Sequence, residues 1–285
     1  GPFGLPDTTL YVMAGRKSRN PHHPDLRHYS LRFSDISPHA LAELVGLNDA
    51  QKQRFWEAIN LAWRVIKDCG LVSKSTGSLD LSLMDEGYPG MKFSHFYDVL
   101  RIALAVVSGD TAPDPRSPEL LAHRGRIENM CGQGNLSNNA SSWKVVIGRM
   151  GDLSRANIFD VDGAPPLDFQ EMLKPGKVNI FDLSDSDELS VLNNLVISRT
   201  LRGVRNVQEI RFNEALEQGT GINPVEIIVE EVHEFLSRDT IAEMPAVYRQ
   251  LRRTALRGRK RGLGLVVMSQ FPDRLPDEVI GLFNN

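Results

Sequence analysis

Two adjacent carboxylates, Glu230 and Glu231, close an apolar run, Val225-Glu226-Ile227-Ile228-Val229. Such a run reads as a buried strand, and in a parallel sheet the carboxyl ends of strands open onto the ligand crevice. Paired acids there suit a divalent cation and an activated water. Glu230 would hold Mg2+, directly or through water, and Glu231 would orient or deprotonate the attacking water. This is the Walker B pattern. The plainer reading is two exposed acids at a strand end that opens a helix, where negative charge is favoured anyway. A second apolar run, Leu263 to Met268, ends in Ser269-Gln270. Gln270 at that tip could bond a γ-phosphate or the lytic water. Taken singly, it is a glutamine opening a loop before Phe271-Pro272.

Between these runs lies Arg249-Gln250-Leu251-Arg252-Arg253-Thr254-Ala255-Leu256-Arg257-Gly258-Arg259-Lys260-Arg261, in which seven of thirteen residues are basic and none is acidic. Met244, Val247, Leu251 and Ala255 fall on one helical face, which leaves the arginines outward. A solvated cationic face is the ordinary explanation. In a chain of net charge −3, such a cluster also points to anion recognition, of a nucleotide phosphate or of DNA. Three histidines near a polar loop, His22, His23 and His28, lack the Cys or acid spacing of a metal site.

The elements that must position these groups alternate from residue 165 onward. Lys174-Pro175-Gly176 predicts a turn and Val178 to Leu183 a strand. Leu189, Leu192, Val196 and Leu201 mark a helix. Strand 225–229, helix 240–258 and strand 263–268 follow, so the spacing predicts βαβ units and a parallel sheet. Earlier, Thr9 to Met13 reads as a strand, and Tyr29, Leu31 and Phe33 alternate like another. Ser37-Pro38 opens a helix that ends at Gly46. Phe55, Ile59, Trp63 and Ile66 mark a second, closing at Gly70. Residues 71–93 read as a loop. Phe96, Leu100, Leu104 and Val107 mark a third helix, stopped by Gly109, and 120–130 and 143–150 two short ones. The expected division is 1–70 as the first part of a core, 71–164 as a helical insertion, and 165–285 as the rest of the core.

Composition bounds the alternatives. With 285 residues, 41% hydrophobic and 24% charged, the chain is neither disordered nor fibrous. Its longest apolar run, Ile102 to Val107, is six residues, far short of a membrane span. Two cysteines cannot build a disulfide framework, which fits a reducing, cytoplasmic setting. Gly1-Pro2 reads as a cleavage scar.

The stretches "IIVEEVHEFL" (227–236) and "GRKRGLGLVVMSQFPDRLPDEVIGLFNN" (258–285) resemble the carboxy-terminal half of the ATPase core of HerA-type DNA translocases, which group with FtsK-like hexameric motors. Where that family has Asp-Glu-Ala-His, this chain has Glu230-Glu231-Val232-His233. Ser269-Gln270-Phe271-Pro272 matches the family's Ser-Gln-x-Pro sensor segment. "LKPGKVNIFDLSD" (173–185) matches its preceding strand, and "SPHALAELVGL" (37–47) its early helix. The resemblance covers about 29–47 and 165–285.

It implies a three-layer α/β P-loop (RecA-like) core with a helical insertion. The whole protein would bind ATP and Mg2+ and thread double-stranded DNA through a homohexameric ring, in end processing, repair or antiphage defence. A NurA-type nuclease is an implied partner. In a ring, Arg257 or Arg259 would act across a subunit interface as an arginine finger, and Arg249, Arg252 and Arg253 would serve the interface or a DNA-facing surface. Two departures stand out. The first acid is Glu230 rather than Asp, and no G-x-x-x-x-G-K-[ST] loop occurs: the one Gly-Lys pair, Gly176-Lys177, precedes Val178. The expectation is therefore a fragment without Walker A, inactive by itself. A HerA-like assembly module without turnover and a conjugation or secretion ATPase of the same superfamily are the alternatives.

Overall fold

The computed structural model describes residues 7–72, 87–134, 136–184, 190–243 and 245–283. In chain order its elements are β1 (Thr8–Met13), β2 (Leu26–Tyr29), α1 (Pro38–Leu44), α2 (Asp49–Asp68), α3 (Phe93–Ser108), α4 (Pro118–Leu121), α5 (Arg124–Gln133), α6 (Ala140–Ala156), α7 (Phe169–Met172), β3 (Val178–Asp182), α8 (Ser190–Gln218), β4 (Val225–Val229), α9 (His233–Leu236), α10 (Arg238–Glu243), α11 (Pro245–Gly258), β5 (Leu263–Val267) and α12 (Asp277–Phe283). They form two compact units. One contains Gly1–Val12, Arg16–His28 and Leu167–Asn285; the other contains Met13–Gly15 and Tyr29–Pro166. None of the described helices is long and apolar enough to cross a membrane.

The second unit is helical. Ser37 accepts from the Ala40 N–H and caps α1, with Pro38 where no N–H is needed. Asn48 and Gln51 close a capping box at the start of α2. Phe55, Ile59, Trp63 and Ile66 are buried, as their spacing requires, and α2 packs on α3 and α6. Trp143 is fully buried, and its indole N–H donates to the Ser137 carbonyl at 2.9 Å. The strand expected through Leu31 and Phe33 stops at Tyr29. Leu31 keeps one bridge to Phe159, and Phe33 opens a 3-10 turn. Packing explains the difference, because the Phe33 ring lies 5.3–5.6 Å from those of Phe93, Phe96 and Phe159. Of the loop expected at 71–93, residues 73–86 lie outside the described residues.

The first unit is α/β with parallel pairing. β1 lies between β2 and β3 and pairs in parallel with β3, Thr8 opposite Val178 through Val12 opposite Asp182. The stacked rings of Tyr11 and Phe181, 5.4 Å apart, sit in that register. β4 and β5 form a separate parallel pair among the described residues. α11 packs on both α8 and β5. A Cβ on Gly258 would stand 2.8 Å from the Leu263 Cβ, so the absent side chain is what lets the end of α11 approach the start of β5. The other face of β4–β5 is bare: Ile228, Val266 and Met268 are 57%, 39% and 43% exposed. Strands expected to be buried on both sides are thus covered on one. The helix marked by Val196 and Leu201 runs on to Gln218. Of the helix expected over 240–258, the described residues on either side of 244 are helical, in Arg238–Glu243 and Pro245–Gly258.

Candidate active site

The parallel register places the tips of β4 and β5 side by side. Beyond Val229 opposite Val267, the Met268 N–H donates to the Val229 carbonyl and the Val232 N–H to the Met268 carbonyl, both at 2.9 Å. Two extended strands would carry straight on. Instead Glu231 adopts φ = 49°, in the left-handed region, and the chain turns into α9. A non-glycine residue there costs about 1–2 kcal/mol, which the neighbouring contacts must offset.

Those contacts join the two tips. The Gln270 side-chain amide donates to Glu231 Oε1 at 2.5 Å. His233, with only 5% of its side chain exposed, sits behind the acid. Its Nδ1 is 3.3 Å from Glu231 Oε2 and 3.2 Å from Ser269 Oγ, and its Nε2 is 3.1 Å from Glu234 Oε1. The edge of the imidazole meets the Phe271 ring at 5.0 Å, and the Arg274 guanidinium covers that ring. Glu231 Oε2 is buried, and no hydrogen bond reaches it beside the His233 contact. Glu230 is exposed beside it.

The exposed carboxylate of Glu230 is a donor of the hard kind that Mg2+ takes. Among the described residues no group of three or more His, Cys, Asp or Glu is arranged to hold a metal. A cation here would keep water or phosphate oxygens as its remaining ligands, which is the usual habit of Mg2+. For a nucleotide's phosphates the fit is partial. Gly176-Lys177 lies in the turn before β3, and the Lys177 ammonium is bound to Glu171 Oε1 at 2.5 Å. It cradles nothing.

Of the residues singled out by sequence, Glu231 and Gln270 touch and Glu230 adjoins them. The arginines stand elsewhere in the unit. Arg249, Arg252, Arg253 and Arg257 are exposed along α11, and Arg259 is exposed in the 3-10 turn after it. Thr254 rather than Ala255 takes the buried position and donates to the Gln250 carbonyl at 2.9 Å; Met244 lies outside the described residues. Arg261 turns inward to Glu209 Oε1 at 2.7 Å and the Phe212 ring. Arg257 and Arg259 precede the amino end of β5, whereas Glu231 and Gln270 lie past the carboxyl ends. Five strand residues, roughly 17 Å, intervene. Sequence reasoning gave His233 no role, although it stands two residues after the acids at the start of a helix.

No family model matches this chain. Among curated proteins it is similar to the DNA double-strand break repair helicase HerA of Saccharolobus solfataricus, 29% identical over 155 residues, which are 54% of this chain and 29% of the relative. The protein of that name from Sulfurisphaera tokodaii is 31% identical over 121 residues, 41% of this chain and 22% of the relative. That from Pyrococcus furiosus is 25% identical over 282 residues, 89% and 44%. The chain spans less than half the length of each. These partial similarities support a HerA-like relationship for the chain.

Proposed function

We propose that the chain carries the water-activating half of the ATP site of a HerA-type DNA motor acting in double-strand break repair or a related pathway. The observation that carries this reading is the bond from Gln270 to Glu231 across parallel strand tips. Glu231 is the general base, accepting the proton of the attacking water at its carboxylate. Gln270 orients that carboxylate and, once released from it, is free to donate to water or to a γ-phosphate oxygen. Glu230 would hold Mg2+, directly or through water, and that cation would neutralise phosphate charge. The remaining fold is a three-layer P-loop core, and the apolar bare face of β4–β5 supports a further layer over it. The whole protein is a cytoplasmic homohexamer that encircles double-stranded DNA, and a NurA-type nuclease is a fitting partner.

The separation of the arginines from the acids by the length of a strand supports their action between subunits. Arg259 is the stronger finger candidate, lying beyond the helix in the 3-10 turn, whereas Arg257, equally exposed, stands on α11 and acts on Arg205. Arg249, Arg252 and Arg253 serve the interface or the DNA.

The test is turnover in a longer protein that carries this chain behind a G-x-x-x-x-G-K-[ST] loop. Glu231→Gln is isosteric but takes no proton, so hydrolysis should fall by at least 10²–10⁴-fold while nucleotide binding persists. Hydrolysis at wild-type rate would make Glu231 structural. A second reading, an assembly module without turnover, is favoured by Glu230 standing where HerA-type proteins have Asp. It predicts that no variant of the acids changes anything but stability.

A further inference from the structure

The seam between α8 and α11 concentrates positive charge. Arg205 of α8 is half-buried, and its Nη1 donates to Gln250 Oε1 of α11 at 2.8 Å. Gln250, Arg253 and Arg257 stand three and seven residues apart and so share a helical face. Burial holds the Arg205 guanidinium below its ordinary value, and Arg253, Arg202 and Arg257 push it the same way. Glu209 opposes them, yet its carboxylate already accepts from Arg261 at 2.7 Å. Folding has therefore gathered like charges that water would keep apart. In a half-buried seam that repulsion is less screened than at an open surface.

The geometry also has a direction. Arg249, Arg253 and Arg257 recur every fourth residue, which sets their origins about 6 Å apart over about 12 Å of helix. A lone phosphate meets one or two guanidiniums. A row about 12 Å long instead spans several successive phosphates of one strand, whose charges repeat every ~3.4 Å along the duplex axis.

We propose that the α8–α11 seam is a track for the phosphodiester backbone of duplex DNA, with Arg205, Arg253 and Arg257 as its phosphate contacts. This rests on reading the chain as part of a DNA motor, and adds the surface and the residues that hold the polymer. The contacts are to phosphate, so binding is independent of base sequence. A bound strand also relieves the repulsion around Arg205, so the seam is more stable loaded than free.

The experiment is fluorescence anisotropy of a labelled 20-base-pair duplex titrated with this chain between 50 and 200 mM salt. Arg253→Gln and Arg257→Gln, both at exposed positions, should each weaken binding about 3–10-fold at 100 mM salt. Each should also lower the slope of log affinity against log salt by about 0.9. Arg205→Gln should do the same; as it is half-buried, the other two serve if it fails to fold. A structural role would not reproduce the companion readout. Without DNA and at low salt, Arg253→Gln should melt higher than the parent chain, because it removes a repulsion. Wild-type binding that the variants leave unchanged in affinity and slope would overturn the track and leave the motor reading to its own turnover test. Displacement of the duplex by sub-millimolar pyrophosphate, dependent on the same arginines, would reassign the seam to a nucleotide and equally overturn it.

Discussion

Glu231 combines a reactive group with an unfavourable backbone. Its φ of 49° is a conformation that glycine adopts freely and glutamate does not, and strain of this kind collects where geometry serves chemistry. Glu231→Gly should relax the backbone and remove the buried Oε2. It also deletes the bond to Gln270 and the contact with His233. We expect the relaxation to win by about 1 kcal/mol, raising the melting temperature by about 2–4 °C while removing the carboxylate. A melting temperature lowered by several degrees would mean that the Gln270 and His233 contacts outweigh the strain. A more stable protein without its acid would show that the position is kept for function.

Among elements, the junction of α11 and β5 decides whether the strand tips meet. The Gly258 contact fixes how close the helix end comes to Leu263, and hence where β5 lies beside β4. Gly258→Ala should cost about 1–3 kcal/mol, as overpacking does. Thermal melting checks this; an unchanged or higher midpoint would show that α11 can slide without penalty. Much at this scale is legible in sequence. Apolar runs ending in Glu230-Glu231 and Ser269-Gln270 announce two strands and the polar groups at their tips, because strand burial and terminal polarity are local properties. Contacts between distant segments carry no periodicity. Nothing near Arg205 in the chain foretells Gln250, and nothing near Phe33 foretells the rings that draw it out of a strand. The left-handed turn at Glu231 is likewise invisible, since glutamate gives no sign of it as glycine would.

At the scale of the whole molecule, the proposed ring turns the distance between acids and arginines into a test of cooperation between copies. A ring in which Arg259 reaches a neighbour's site makes a specific mixture informative. In the longer protein, Arg259→Ala and Glu231→Gln should each abolish hydrolysis alone. Mixed, they should recover part of it, because some interfaces then join an intact acid to an intact arginine. A finger of this kind is worth on the order of 10³–10⁵ in rate. ATPase rate against mixing ratio is the measurement. A flat zero at every ratio, with both variants still assembling, would show that Arg259 does not act across the interface.

The bare face of β4–β5 has a consequence for how the chain behaves in a tube. Ile228, Val266 and Met268 hold a strip of hydrocarbon against water. Each strand of the pair also has an outer edge with no partner strand among the described residues. Unpaired edges beside exposed hydrocarbon are adhesive. The strand pair that carries the candidate site at its tips therefore also governs solubility. Stickiness and the placing of the candidate site belong to one strand pair, and charging that strip to keep the chain in solution alters the strands that carry Glu231 and Gln270.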